Sequence, residues 1–393
     1  MFDSRSTPAI AIHPKVEALP ALTALRFFAA AYVVAFHYTP YYFPNVSDGG
    51  FIGLGYSGVT FFFLLSGFIL AYNYRDADLG QPQARALFYR ARFARVYPLF
   101  LLALVIHVPW FLAWVVKQPM PLKALMASGA LLAPLGIHAW VPGAACSLNC
   151  PSWSVSVEFF FYALFPILLP LVLRNPKRVA LATLAFWVAV AALATSVWQA
   201  SSGGVSLIAP EAGGIRPILL AEFVKYFPLL HLPEFIAGLL LYVVWRHTRL
   251  PGPLLLAAAV GFGALIVVGS VYVPDPILHN GITMLAWAPL ILACAAMRRG
   301  PLCSRPLVFL GKISFALYLL HIPVFAMLNT VDKVVLHGWL AGHPWFGFGL
   351  ASLTSLVAAT LAHLLVEEPA RRRILRSARP SRAQPATAVR AGA

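Results

Sequence analysis

Acidic side chains are scarce: 13 Asp and Glu stand against 29 Lys and Arg in 393 residues, and only 11% of the chain is charged. A soluble domain of ordinary composition is about 25% charged, so a water-soluble globule of this length is excluded. The polar intervals are also short, mostly under about forty residues, which leaves none of them able to enclose a core of its own. Cysteine is limited to Cys146, Cys150, Cys294 and Cys303. Neither these nor the histidines fall at metal-ligand spacing, so no metal site is expected. Internal repeats are missing as well, which removes the solenoid architectures.

What is present is apolar surface: 60% of residues are hydrophobic and the mean hydropathy is +0.79. Ten apolar runs lie near 20–41, 56–74, 97–116, 153–173, 178–198, 229–246, 252–272, 278–297, 308–328 and 345–366. Each is long enough for a hydrocarbon layer of about 30 Å. The expected fold is all-α, a polytopic integral membrane bundle of about ten transmembrane helices. One integral domain should span 1–376, followed by a disordered Ala/Arg/Pro-rich tail over 377–393. The first run follows Pro8, His13, Pro14, Lys15 and Glu17 and lacks a small-residue cleavage site, so it reads as a retained helix and not a secretory signal.

The net charge of +16 is informative through its placement. Between the runs, 22 Lys and Arg fall on one side and five on the other, Lys117, Lys123, Arg216, Lys225 and Lys333. That asymmetry puts both termini in the cytoplasm. A nucleic-acid partner is not expected, because it would need a contiguous soluble basic face. The segment 117–152 has a short apolar middle broken by Pro134 and Gly136. An eleventh span there would invert every later loop, so it reads as re-entrant or surface-lying. Its "CSLNC" permits either a Cys146–Cys150 disulfide in an oxidising compartment or two free thiols.

Charged and imidazole groups within a membrane helix cost at least a few kcal/mol each and should face protein or a hydrated cavity. They include Arg26, His37, Glu158, Glu234, Lys312, His321 and His363. Eleven helical residues return to nearly the same direction, so Arg26 and His37 share a face about 16 Å apart along the axis. Two readings stand: a polar channel beside the first helix, or an Arg that snorkels and a His that caps the outer end. Glu158 sits early in its helix, at a depth expected to match His37. It is either a proton-transfer partner or a helix-start carboxylate favoured by the dipole. Ser314, Tyr318 and His321 form one stripe, which either lines the same cavity or bonds between helices. Arg90, Arg92 and Arg95 stand at the cytoplasmic mouth of the third span. Their guanidinium forks fit phosphate oxygens, but they also fit an ordinary topology signal.

These segments together resemble the acyltransferase-3 family of bacterial membrane O-acyltransferases. "LTALRFFAAAYVVAFHY" is similar to its Arg-x10-His signature, "GYSGVTFFFLLSGFILAY" to its Ser-Gly-Phe pattern, and "RFARVYP" to its Arg-x-x-Arg element. "PSWSVSVEFFFYALFP" resembles its Trp-Ser-x-x-x-Glu segment, "PEFIAGLLL" its Phe-x-x-Gly pattern, and "GKISFALYLLHIPVF" its late His-x-Pro element. "VEEPARR" looks like the closing Glu-x-Pro, with Glu367 or Glu368 as the acid. Phe315 replaces a usual Tyr, and the "CSLNC" insertion is not a family hallmark.

The resemblance implies an enzyme of the bacterial inner membrane that moves an acyl group, acetyl first of all, from cytoplasmic acyl-CoA to a sugar hydroxyl of a cell-surface or exported glycan. It implies catalytic His37, Glu158 and Arg26, and acetyl-CoA held by Arg92, Arg95 and Arg90. Ser66, Trp153, Tyr318 and His321 would contact substrate, and Glu158 would orient His37 or bind the sugar. A carrier or flippase for a glycan precursor is the rival reading, since a polar path through ten spans serves that task too.

Overall fold

The computed structural model describes residues 17–46, 50–202, 207 and 214–377. The tail expected over 377–393 lies outside the described residues beyond Ser377, and so do the residues ahead of Glu17. Among the described residues there is no strand. Ten helical segments among the described residues are long and apolar enough to cross a membrane: α1 Pro20–Tyr42, α2 Gly55–Tyr74, α3 Pro82–Val115, α4 Cys150–Arg174, α5 Pro176–Ser201, α6 Ile215–His247, α7 Gly252–Gly269, α8 Asp275–Ala296, α9 Arg305–Val334 and α10 Pro344–Arg376. They match the ten apolar runs one for one.

The differences are at the ends. Helix α3 begins at Pro82, well before the apolar run, because Pro suits the first helical turn and the Ala- and Arg-rich stretch after it favours helix. Helix α6 is broken: Phe227 is extended and a 3₁₀ turn, Pro228–His231, joins its two pieces. Helix α10 runs through a π-helical turn at His363–Glu367 before continuing to Arg376. Such turns widen the helix locally and recur at functional sites. The segment before α4 holds a short helix, Leu122–Leu132, and tight turns, in agreement with the surface or re-entrant reading. Cys146 and Cys150 are joined as a disulfide.

Packing follows the small residues. Helix α1 lies against α9, and α2 against the second piece of α6. A methyl on Gly67 would collide with the Phe235 carbonyl, one on Gly238 with the Leu64 carbonyl, and one on Gly311 with the Thr23 carbonyl. These close backbone approaches are what holds helices together where lipid offers no hydrophobic drive. Helices α5 and α7 stand outside, with Leu181, Leu193, Val260 and Leu265 largely exposed for contact with acyl chains. At one end, Arg298 pairs with Glu17 at 2.9 Å and Arg90 donates to the Ile374 carbonyl. Both ends of the described chain therefore share the arginine-rich end, as an even number of spans requires.

Beside the disulfide loop, His138 is fully buried, with Nε2 3.1 Å from Ser152 Oγ and Nδ1 without a partner. Burial pushes this imidazole down to about 4.

Candidate active site

A cavity of about 930 Å³, counted with its open mouth, runs between α1, α2, α3, α4 and α9. Arg92 and Arg95 come from successive turns of α3, Arg26 from α1, Ser66 from α2, Glu158 and Tyr162 from α4, and Tyr318 from α9.

The arginines have different surroundings. Arg95 is bound to Glu367, a carboxylate only 1% exposed, which also accepts from His363 Nδ1 at 2.8 Å. The widened turn of α10 carries both acceptor and imidazole to this point. Glu367 is thus the buried acid of the "VEEP" pair, while Glu368 faces Arg371 and Arg372 on the surface. Arg92 lies over the Tyr74 ring, 5.8 Å from its centre, and its buried Nε has no hydrogen-bond partner. Arg26 makes no ion pair among the described residues. Arg90 turns away from the cavity: its guanidinium donates to the Ile374 carbonyl at 2.9 and 2.6 Å. It fastens the chain's last described turn to α3, so the expected triad at the mouth reduces to a pair.

Deeper in, Glu158 accepts from the Tyr162 hydroxyl and, at 3.3 Å, from Ser66. The expected Glu158–His37 pair is not formed. Glu158 shares the cavity with Arg26 instead, and His37 is not among the residues that line that cavity. Trp153 does not line the cavity either. It packs against Tyr226 and His231, with ring centres 4.7 and 5.2 Å away, and so roofs the helix bundle.

His37 has another partner. Its Nδ1 lies 2.9 Å from the Val33 carbonyl and 3.2 Å from Nε2 of the fully buried His321. His321 Nδ1 in turn lies 2.6 Å from the Tyr318 carbonyl. A carbonyl only accepts, so each Nδ1 carries the proton, and the His321 Nε2 lone pair faces the His37 N–H. His37 Nε2 is left as a bare lone pair without a partner among the described residues. The half-buried ring is therefore a neutral base whose opposite nitrogen is held by an acceptor, the arrangement that stabilises an imidazolium when it forms. Tyr38 buttresses the pair, its hydroxyl 2.7 Å from the His321 carbonyl. Tyr318 joins the two regions: it walls the cavity, sends its hydroxyl to Pro151 O and Ser154 Oγ at 3.0 and 2.9 Å, and bonds His321 through its carbonyl.

Tyr162 and Tyr74 are not among the candidates the sequence offers, whereas His363, one of the intramembrane imidazoles named above, joins the site through Glu367. Tyr162 had a signal, the i, i+4 spacing from Glu158 on one helical face. Tyr74 and His363 reach the site through tertiary packing that spacing alone does not encode. A second buried group links α2 and α6: His231 Nδ1 is 2.9 Å from Glu234, whose other oxygen accepts from Thr60 at 2.8 Å. It meets the cavity wall at Phe63, whose ring centre lies 5.2 Å from that of His231.

Comparison with known proteins agrees with this architecture. The acyltransferase-3 profile, described as an acyltransferase domain, matches residues 19–364. "Acyltransferase MdmB" of Streptomyces mycarofaciens is 32% identical over 91% of this chain and 93% of that protein. "Putative peptidoglycan O-acetyltransferase YrhL" of Bacillus subtilis is 27% identical over 91% of this chain, which spans only 56% of that protein. "Putative membrane-bound transacylase BcsY" of Komagataeibacter xylinus is 26% identical over 87% of this chain and 80% of that protein. No solved structure matches the chain. With ten apolar spans among the described residues and a profile match over most of its length, the chain belongs to the acyltransferase-3 family of multi-pass membrane acyltransferases.

Proposed function

We propose that this enzyme, set in the bacterial inner membrane with both termini in the cytoplasm, moves an acetyl group from acetyl-CoA to a sugar hydroxyl of a surface or exported glycan on the far side. The observation that carries this reading is the division of the site. Guanidinium groups suited to phosphate gather on the cavity wall, and an imidazole with a free lone pair stands outside its lining, joined to it through His321 and Tyr318. The O-acetyltransferase name of one relative favours acetyl as the group moved.

In this reading Arg92 and Arg95 hold the donor's phosphates, and the pantetheine arm extends past Arg26 and Glu158 toward Tyr318. The acceptor hydroxyl gives its proton to His37 Nε2 as its oxygen bonds the thioester carbon. The C–S bond then breaks, and the CoA thiolate leaves and recovers that proton. His321 stabilises the transient positive charge through the His37 N–H, and Arg26 the negative charge on the donor side. Glu158, with Ser66 and Tyr162, keeps this region polar and hydrated.

Purified enzyme in detergent, given acetyl-labelled CoA and glycan from producing cells, should place label on the glycan, and His37→Ala should abolish it at unchanged protein level. Label transfer that survives His37→Ala overturns the reading of His37. Absence of any transfer by folded wild-type protein, with uptake of glycan into sealed vesicles, favours a carrier instead.

A further inference from the structure

A second concavity lies away from the active site, at the arginine-rich end, where α6 finishes, α7 starts and α8 finishes. It encloses about 1130 Å³ counted with its open mouth. Arg246 and Arg249 stand on one wall with Trp245, and Leu250, Leu255 and Leu292 form an apolar side. Arg298 closes the far edge. Its charge is already balanced by Glu17 at 2.9 Å, and its Nη1 donates to the Ala295 carbonyl at 2.8 Å. Arg246 and Arg249 have no acidic partner among the described residues.

The site thus keeps an excess of two positive charges beside a hydrocarbon-lined slot, at the depth where helices leave the bilayer. Trp245 packs on Tyr72 and Tyr242, with ring centres 5.5 and 6.3 Å away, in the manner of interfacial aromatics. A soluble anion would use the guanidinium groups but leave the leucines uncovered. A zwitterionic lipid would bring an ammonium into a cationic site. We propose that this concavity binds a phospholipid of net negative charge, its phosphate on Arg246 and Arg249 and the start of an acyl chain along Leu250, Leu255 and Leu292. The bound lipid adds to the packing of α6, α7 and α8, where α7 is the least buried of the spans.

The test is native mass spectrometry of the purified protein titrated with phosphatidylglycerol, phosphatidylcholine or inorganic phosphate, with the thermal midpoint read in parallel. Phosphatidylglycerol should be retained at least tenfold more strongly than phosphatidylcholine and should raise the midpoint, while inorganic phosphate does neither. Arg246→Gln with Arg249→Gln should remove that preference. Arg371→Gln with Arg372→Gln, two arginines at the same end already paired with Glu368, should leave it intact. Lys at 246 and 249 should keep most of it, which guards against a folding defect in the Gln pair. Equal retention of the two lipids, an equal loss in the 371/372 control, or an equal effect of inorganic phosphate overturns the proposal.

Discussion

Arg92 and Arg95 are equivalent in sequence and not in structure, and a pair of substitutions should separate them. Arg95→Gln takes from Glu367, 1% exposed, its ion-pair partner, leaving His363 in direct contact and Arg26 at longer range. Breaking a buried ion pair on one side costs about 3–5 kcal/mol, but Arg95 is 23% exposed on a cavity wall and water replaces part of its role, so about 2–3 kcal/mol is expected. Arg92→Gln breaks no ion pair; it loses the contact with Tyr74, worth about 0.5–1 kcal/mol, and a longer-range attraction to Glu158. The thermal midpoint in detergent should therefore fall clearly for Arg95→Gln and little for Arg92→Gln. Adding Glu367→Gln to Arg95→Gln should restore part of the loss, with a coupling of at least about 1.5 kcal/mol. Donor kinetics should show the reverse order. A lost charge-assisted contact of about 1.5–3 kcal/mol predicts that Arg92→Gln raises KM for acetyl-CoA by roughly tenfold to a hundredfold. Equal midpoints for the two single variants, or a double variant no more stable than Arg95→Gln, would refute the assignment of Glu367 to Arg95. An unchanged donor KM in Arg92→Gln would return that arginine to a topology role.

Other outcomes follow from the same geometry. His321→Ala leaves His37 its bond to Val33 but removes the lone pair that faces its N–H, so turnover should fall by about ten- to a hundredfold, less than for His37→Ala; equal losses would show that the two rings act as one unit. Glu158→Gln keeps the single oxygen that accepts from both Ser66 and Tyr162, so protein level should hold while turnover drops about tenfold or more; wild-type turnover would show that the carboxylate charge is unused. His138 is depressed to about 4 in the fold against about 6.5 when exposed. Its unfolded form therefore binds the extra proton, and stability present above pH about 6.5 should be lost as pH falls toward 4. The midpoint in His138→Asn should lack that part of the pH dependence, and identical profiles would exclude His138 as its source.

Much of this was legible in the chain. The ten spans follow from hydropathy and length, and the refusal to place an eleventh over 117–152 rested on the fall of arginine across the loops. The Arg26–His37 face is a consequence of helical period, and the stripe ending at His321 is likewise local. Pairing across helices was less legible. The partner of His37 is His321, two hundred and eighty-four residues away, and not Glu158. A depth estimate along one helix says nothing about rotation of its neighbour. The choice between Glu367 and Glu368 depends on a π-helical turn, which shifts the facing of every later residue and leaves no mark in the apolar pattern. Arg90 was grouped with Arg92 and Arg95 by proximity in sequence, yet helical rotation directs it to the far side of α3, where α10 ends.

The central claim, that donor and acceptor meet from opposite ends of one passage, is tested most directly in sealed vesicles holding enzyme of a single orientation. Labelled acetyl-CoA is supplied on one side and glycan on the other. Acetylated glycan should form only when the donor is on the side of Arg92 and the glycan on the side of His37, and His37→Ala should prevent it. Product formed only when both substrates share a side, whichever side that is, would contradict the account.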